Sequence, residues 1–185
     1  MKKTIKQFNE VIDICREIFV KKTKDYGTAW RILRSSSLTD QIFIKANRIR
    51  SIEEKGAQKI KEDIKDEFIA IVNYSVMALI QLELGAASGH EDMQLDVDET
   101  IALYDKYIFG ARDLMLNKNH DYGEAWRDMR ISSLTDIILM KILRLKQIED
   151  NKGETIISEG PEGSYNDMIN YSIFALIKMS EVESK

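Results

Sequence analysis

The sequence predicts an all-α protein, and three observations support that fold class. The 185 residues include only one proline and nine glycines, too few turn-forming residues for a many-stranded sandwich or barrel. Apolar residues recur every three to four positions over long stretches, which is the period of an amphipathic helix. No window alternates apolar and polar residues in the way that a half-buried strand does.

The chain is a tandem duplication. Fifteen of 24 positions are identical between DYGTAWRILRSSSLTDQIFIKANR at 25–48 and DYGEAWRDMRISSLTDIILMKILR at 121–144, with a constant offset of 96. Six of eight positions are identical between NYSVMALI at 73–80 and NYSIFALI at 170–177, with an offset of 97. We therefore predict repeat one at 1–85, a linker rich in small and acidic residues at 86–98, and repeat two at 99–185.

The net charge divides unevenly between the halves. Residues 1–85 contain 16 basic and 12 acidic side chains, a net of +4, whereas residues 86–185 contain 11 and 19, a net of −8. Opposite charges favour docking, and a repeat of about 80 residues has difficulty burying a sufficient core alone. We therefore expect one domain, a helical bundle in which two three-helix repeats form an intrachain pseudo-dimer.

Helix one of each repeat is predicted at residues 5–22 and 99–117. In repeat one its apolar stripe consists of Phe8, Ile12, Cys15 and Phe19. The glycine of each DYG motif, Gly27 and Gly123, is predicted to end this helix in a left-handed conformation.

Helix two is predicted to begin after the SLTD segments at 37–40 and 133–136 and to end near residues 54 and 150. A serine followed three residues later by an acid resembles a capping box, so Asp40 and Asp136 are interpreted first as capping residues. Helix three carries apolar and small residues at helical spacing in both copies: Phe68, Ile71, Ser75, Ala78 and Leu82 in repeat one, and Tyr165, Met168, Ser172, Ala175 and Met179 in repeat two.

Several classes of protein are excluded by composition. One cysteine and two histidines rule out an intramolecular disulfide, a cysteine-rich zinc site and a multi-histidine metal centre, but not an oxygen-ligand site for a hard cation. No uninterrupted apolar stretch approaches the roughly 18–20 residues of a membrane span, and the opening segment lacks the apolar region of a signal peptide. We expect a cytoplasmic protein without membrane association. Its acidic charge and lack of a long basic stripe argue against nucleic-acid binding.

The DYG-x-AW motifs have two interpretations. They are either helix caps with aromatic core anchors or loops that present aromatic faces for base stacking, and the core interpretation is stronger for the tryptophans. Two asparagines on the buried face of helix three need hydrogen-bond partners and mark a specificity device or a site. The candidate base-binding residues are Tyr26, Trp30, Asn73, Tyr122, Trp126 and Asn170.

A basic trio occurs in both copies, with a lysine and an arginine three residues apart on one face of helix two. Such a cluster suits phosphate binding. On a single helix, a solvated face with salt bridges would be the better explanation, but the presence of the same trio in both copies favours phosphate binding. The candidate phosphate-binding residues are Arg34, Lys45, Arg48, Arg130, Lys141 and Arg144.

The acids of helix three differ between the copies. Repeat one has Glu67 where repeat two has Ser164, and repeat two has Asp167 where repeat one has Ala70. Two carboxylates on one helix face are a common way to hold Mg²⁺. Because each copy keeps one acid of the pair, the sequence indicates either two decayed sites or one composite magnesium site between the repeats, formed by Glu67 and Asp167. Asp40 and Asp136 are further candidate ligands of this magnesium site.

The combination of K-x-x-DYG-x-AW, R-x-SSLTD, K-x-x-R and a late NY resembles the nucleotide modification associated domain 1 family over nearly the whole chain, twice. More loosely, it is similar to the all-α nucleoside triphosphate pyrophosphohydrolases related to MazG and the dimeric dUTPases. This second resemblance implies a helical bundle, Mg²⁺ held by helical acids and cleavage between the α and β phosphates. The Glu-Glu-x-x-Glu helix of those enzymes is not present.

Three functions follow as hypotheses. The first is a Mg²⁺-dependent NTP pyrophosphohydrolase that acts on a free or modified nucleotide. The second is a non-catalytic module that binds a nucleotide or a partner protein, and a purely structural helical adaptor is a third alternative. The sequence leaves open whether the pseudo-dimer pairs again into a homodimer.

Overall fold

The computed structural model describes residues 2–56, 63–157 and 160–183. Within these ranges the chain is all-α and contains no strand, as predicted. Its α-helices are α1 (Lys2–Tyr26), α2 (Ser35–Lys55), α3 (Ile64–Leu84), α4 (His90–Met93), α5 (Val97–Tyr122), α6 (Ile131–Asp150) and α7 (Pro161–Glu183). Short 3₁₀ turns at Ala29–Ile32 and Ala125–Asp128 connect α1 to α2 and α5 to α6.

The first helix of each repeat is longer than predicted and ends at the glycine that the motif indicated. Gly27 follows α1 with φ +69°, and Gly123 follows α5 with φ +64°, positive values that glycine adopts without steric cost. With ψ −159°, Gly123 lies outside the left-handed helical conformation that was predicted for it. At the other end of α5, the side chain of Asp96 accepts hydrogen bonds from the backbone N–H groups of Asp98 and Glu99.

The predicted capping box at the start of helix two is wrong. α2 begins two residues before Ser37, and Arg34 occupies its N-cap without a side-chain hydrogen bond. α6 likewise begins directly after Arg130. The 3₁₀ turn and the extended residues after it already redirect the chain, so the serines lie inside the first helical turn. Asp40 therefore lies within the helix, where it pairs with Lys146 at 2.6 Å.

Four helices, α2, α3, α6 and α7, form a bundle in which α3 packs along α7. α1 and α5 each contact both α3 and α7, so the first helix of one repeat packs against the third helix of the other. The repeats therefore interlock around one core. Leu82, predicted to be buried, is 40% exposed, because Gln81 faces the interior there and donates to the carbonyl of Arg31 at 2.9 Å.

The interface between α2 and α6 repeats the same contacts in both directions. The Thr39 hydroxyl donates to Glu149 at 2.7 Å, and the Thr135 hydroxyl donates to Glu53 at 3.1 Å. Two reciprocal ion pairs flank these bonds, Asp40 with Lys146 at 2.6 Å and Asp136 with Arg50 at 3.5 Å. Such reciprocity is the mark of a two-fold interface, here between two halves of one chain.

α3 is long and apolar enough, by length and composition, to cross a membrane, with a mean hydropathy of 1.4 over its most apolar window. It is the one helix of the described ranges with that property, and 67% of the window is buried inside the bundle. Burial of this extent is what the core helix of a soluble bundle shows.

Candidate functional site

A cavity of about 420 Å³ lies in repeat one between α1, the DYGTAW turn, α2 and α3. Small-molecule sites typically measure roughly 300–1,000 Å³. Four of the candidate residues line this one cavity, namely Tyr26, Trp30, Lys45 and Asn73. The other lining residues are Ile18, Phe19, Lys22, Thr23, Gly27, Leu33, Asp66, Ile69, Ala70, Tyr74 and Met77.

The DYGTAW turn that forms one wall is fixed by the linker. The Thr28 hydroxyl donates to the Met93 carbonyl at 2.6 Å and accepts from the Leu95 N–H at 3.0 Å. A Cβ atom added at Gly27 would lie 2.8 Å from Oε1 of Gln94, closer than real Cβ contacts allow. That oxygen is the end of an exposed and flexible side chain that can move aside, so the positive φ of +69° is what favours glycine here.

The aromatic residues of the motif divide into a buried and an exposed class. Trp30 and Trp126 are 9% and 5% exposed, and Trp30 packs against Phe19 with ring centroids 6.5 Å apart. The tyrosines lie at the surface, where Tyr26 is 58% and Tyr122 is 79% exposed. The interpretation as core anchors is thus correct for the tryptophans, while Tyr26 has a ring face free at the edge of the cavity.

Asn73 is held by two hydrogen bonds at the inner end of the cavity. Its Nδ2 donates to the Cys15 carbonyl at 3.2 Å, and its Oδ1 accepts from the Tyr104 hydroxyl at 2.8 Å. Tyr104 comes from α5 of repeat two and also stacks on Phe19 at a centroid distance of 4.4 Å. Burial raises the pKa of Tyr104 well above its ordinary value, so this hydroxyl keeps its proton. A residue of repeat two therefore supports the cavity wall of repeat one.

Asn170 occupies the corresponding place in repeat two but has one partner fewer. Its Nδ2 donates to the Ala111 carbonyl at 3.0 Å, whereas its buried Oδ1 has no hydrogen-bond partner within the described ranges. The position equivalent to Tyr104 is Phe8, which has no hydroxyl to donate.

Basic side chains lie along one side of the cavity. Lys22 is exposed, and Lys45 lies 3.3 Å from the carboxylate of Glu67. Arg48 donates to the other oxygen of the same carboxylate, which is almost fully buried. The basic trio is therefore divided, since Arg48 is anchored in an ion pair and Arg34 is exposed at the N-cap of α2.

The equivalent region of repeat two is filled by its own side chains. Lys118 and Lys141 both contact Asp167, at 2.8 and 2.6 Å. Burial raises the pKa of the Asp167 carboxyl, but hydrogen bonds from the two lysines outweigh it and hold that pKa below its ordinary value. Phe174, at the position of Met77, stacks on Trp126 with centroids 4.3 Å apart and the rings almost parallel.

The remaining basic candidates of repeat two lie at the surface. Arg130 is exposed at the N-cap of α6, and Arg144 is exposed on the same helix. Arg144 corresponds to Arg48, but the acid that holds Arg48 is replaced by Ser164. The change from Glu67 to Ser164 thus explains why one arginine is anchored and the other is not.

The four candidate metal ligands each contact a basic side chain. Glu67 pairs with Lys45 and Arg48, Asp167 with two lysines, and the remaining two acids form the ion pairs between α2 and α6. Within the described ranges, no three His, Cys, Asp or Glu side chains are grouped as a metal site. The magnesium site stays a prediction from the sequence pattern.

Among the cavity residues that were not proposed from the sequence, three carry side chains suited to ligand binding, namely Lys22, Tyr74 and Asp66. Lys22 and Tyr74 are identical in the two copies, as Lys118 and Tyr171, so the repeat itself carried the signal. Asp66 is not repeated in the second copy, which has Gly163 at that position, so the repeat gave no signal for it.

The fold and the cavity define an all-α tandem-repeat protein with a cavity of about 420 Å³ formed within one repeat. Two segments of the chain, residues 22–82 and 118–179, match the family model described as Nucleotide modification associated domain 1. The chain belongs to this family and contains two copies of its domain. No curated protein and no solved structure is detectably similar to it.

Proposed function

We propose that the protein binds a nucleotide in the cavity of repeat one. The observation that carries this proposal is the convergence of aromatic and basic side chains from four separate segments on one cavity. Nucleotides need a flat apolar face for the base and cations for the phosphates, and both are present. Membership of a family named for nucleotide modification supports the same ligand class.

The base end of the ligand is assigned to Tyr26 and Tyr74. Both tyrosines line the cavity, and Tyr26 has an exposed ring that can turn onto a bound base. Trp30 is packed too tightly to reorient and supplies a fixed apolar wall. Stacking on an aromatic ring contributes about 1–3 kcal/mol per base and tolerates different bases, which suits a modified nucleotide.

The phosphate end is assigned to Lys22 and Lys45. Lysine binds phosphate as a point charge, and Lys22 lies exposed at the cavity with no acid opposite it at position 70. Among the residues that the structure describes, Asp66 is the one carboxylate that lines the cavity. It is exposed, so water screens its repulsion of a bound phosphate.

A Mg²⁺-dependent pyrophosphohydrolase is the second candidate function. The observation in its favour is Asp66, since Mg²⁺ is commonly held by one or two carboxylates together with the phosphates of the substrate. Glu67, the neighbouring acid, is held by Lys45 and Arg48. A metal at Glu67 would have to displace these cations, which is why nucleotide binding without hydrolysis is the proposal that we favour.

The test is isothermal titration calorimetry and thermal denaturation of the full chain with nucleoside mono-, di- and triphosphates, including modified bases, with and without Mg²⁺. We expect at least one nucleotide to raise the Tm, since a ligand at 100 times its Kd stabilises by about 2.7 kcal/mol. Chromatography of the same mixtures separates binding from hydrolysis, because a pyrophosphohydrolase releases the nucleoside monophosphate and pyrophosphate.

The two exposed tyrosines provide a matched pair of variants. Tyr26→Ala is expected to weaken nucleotide binding about tenfold through lost stacking, whereas Tyr122→Ala is expected to leave the Kd unchanged. Equal losses in the two variants would place the ligand elsewhere. Failure of the whole panel to bind or to raise the Tm would refute the proposed function.

A further inference from the structure

The two repeats place their first and third helices in the same register. Asn73 donates to the carbonyl of Cys15, and Asn170 donates to the carbonyl of Ala111. These four residues correspond pairwise at the sequence offsets of 97 and 96. Side chains at equivalent positions therefore occupy equivalent places in the two repeats.

In repeat two, one carboxylate fills the space between two lysines. Asp167 is 15% exposed, and its oxygens contact Lys118 at 2.8 Å and Lys141 at 2.6 Å. Each lysine bonds a different oxygen, as two cations would bind two oxygens of one phosphate group. The carboxylate thus marks a place where the scaffold accepts an anion.

In repeat one, the equivalent lysines have no such acid between them. Lys22, Lys45 and Ala70 correspond to Lys118, Lys141 and Asp167, and all three line the cavity. The methyl group of Ala70 leaves the space of a carboxylate unfilled. Lys45 also contacts Glu67 at 3.3 Å, but an ammonium group has three donors and retains donors for a second anion.

We propose that the space beside Ala70 receives a phosphate group of the ligand and that the Asp167 carboxylate occupies the matching space in repeat two as a built-in anion. The identity of the ligand as a nucleotide rests on the function proposed above. The chain then has one open site and one site closed by its own side chain. Phe174, stacked on Trp126, fills the base end of the closed site as well.

The test uses inorganic pyrophosphate as the probe, so that it does not depend on the base. Calorimetry on the full chain is expected to give one bound pyrophosphate per wild-type chain and two per chain of Asp167→Ala. Ala70→Asp is expected to weaken binding in repeat one at least about tenfold, because the new carboxylate repels the anion and pairs with its lysines. Ala70→Asn, of nearly the same volume but uncharged, is expected to weaken it less than about threefold.

The double variant Ala70→Asp with Asp167→Ala exchanges the open and the closed site and is expected to bind one pyrophosphate. Adding Lys118→Ala to this double variant is expected to abolish that binding. If Asp167→Ala does not fold, the comparison of the two Ala70 variants decides the matter. Equal affinities in Ala70→Asp and Ala70→Asn would overturn the inference, as would a wild-type chain that binds no pyrophosphate.

The two proposals fail in different ways. The predicted pyrophosphate pattern without binding of any nucleotide would support the anion site and refute the nucleotide function. Nucleotide binding that is equally strong in Ala70→Asp and Ala70→Asn would support the nucleotide function and refute the anion site.

Discussion

The cavity of repeat one and the equivalent region of repeat two have the same scaffold but different interiors. Both have a glycine with a positive φ after the first helix, a buried tryptophan in the turn and an asparagine bonded to a helix carbonyl. The interior differs at two positions of the third helix, where Ala70 and Met77 are replaced by Asp167 and Phe174. Asp167 and Phe174 are larger than the residues they replace, and their side chains occupy the space that is a cavity in repeat one.

The two copies differ at residues that line the cavity and agree at residues that hold the scaffold. Gly, Trp and Asn hold the backbone and the core, so losing them is expected to cost stability in either copy. Exchanging matched residues between the two repeats tests this division.

The largest effect is expected at the buried asparagines. Asn73→Ala removes the bond to the Cys15 carbonyl and leaves the buried Tyr104 hydroxyl without its acceptor, which is expected to lower the free energy of unfolding by about 2–4 kcal/mol. Asn170→Ala removes one bond and an oxygen that was already unpaired. We expect it to cost about 1–2 kcal/mol.

Urea denaturation measures the stability of both variants, and a lower midpoint with an unchanged m-value shows that the substitution has lowered the stability. A cost for Asn170→Ala equal to or above that for Asn73→Ala would contradict the asymmetry between the repeats.

The next effect concerns ligand binding. Met77→Phe gives repeat one the residue that stacks on the tryptophan in repeat two, and the added ring is expected to fill the cavity. Nucleotide affinity should then fall at least about tenfold, or about 1.4 kcal/mol, in calorimetry with the wild-type ligand. The matched variant Phe174→Met changes the repeat in which no ligand is expected to bind, so its Kd should equal that of the wild type. A ligand that binds Met77→Phe normally would not be in this cavity.

The fold was largely predictable from the sequence, because it depends on periodic apolar residues and on the repeat. The stripe from Phe8 to Phe19 is buried, and Gly27 and Gly123 end their helices as the motif indicated. The start of helix two was not predictable from the SLTD segment. Its 3₁₀ turn moves the helix start to Ser35, and local capping preferences carry no information about that turn.

The site was predictable only in part. Repetition singled out Tyr26, Trp30, Lys45 and Asn73, which do line one cavity. The repetition also implied two equal sites, whereas the side-chain packing leaves a cavity in repeat one and fills the equivalent region of repeat two. Whether an acid such as Asp167 binds a metal or a lysine depends on side chains from other helices, here Lys118 of α5 and Lys141 of α6. Spacing along one helix cannot supply that information.

A smaller effect is expected from exchanging the residues that face the asparagines. Tyr104→Phe leaves Oδ1 of Asn73 unpaired, as Oδ1 of Asn170 is, and is expected to cost about 1 kcal/mol. Phe8→Tyr supplies the missing hydroxyl to Asn170 and is expected to recover up to about 1 kcal/mol. Thermal or urea denaturation of the single and double variants gives both values. A destabilising Phe8→Tyr would mean that the space beside Asn170 is too small for the hydroxyl.

The smallest effect is expected where the two repeats are alike, at the interface of α2 and α6. Burial raises the pKa of both Glu53 and Glu149, although hydrogen bonds from Thr135 and Thr39 oppose that increase. An acid with a raised pKa in the folded state binds more protons when folded, so its contribution to stability falls as the pH rises from its unfolded pKa of about 4.3 through its folded pKa. Replacement by glutamine should remove this dependence.

Glu53→Gln and Glu149→Gln should therefore each gain stability relative to the wild type as the pH rises from 4 to 7. Urea denaturation at both pH values measures the change, and the other carboxylates cancel in the comparison. The gain should be smaller for Glu149→Gln, because the Tyr165 hydroxyl lies 3.4 Å from Glu149 and favours its charged form, whereas repeat one has Phe68 there. Equal gains would show that this hydroxyl does not act on Glu149, and a loss in either variant would show that burial does not dominate at this interface.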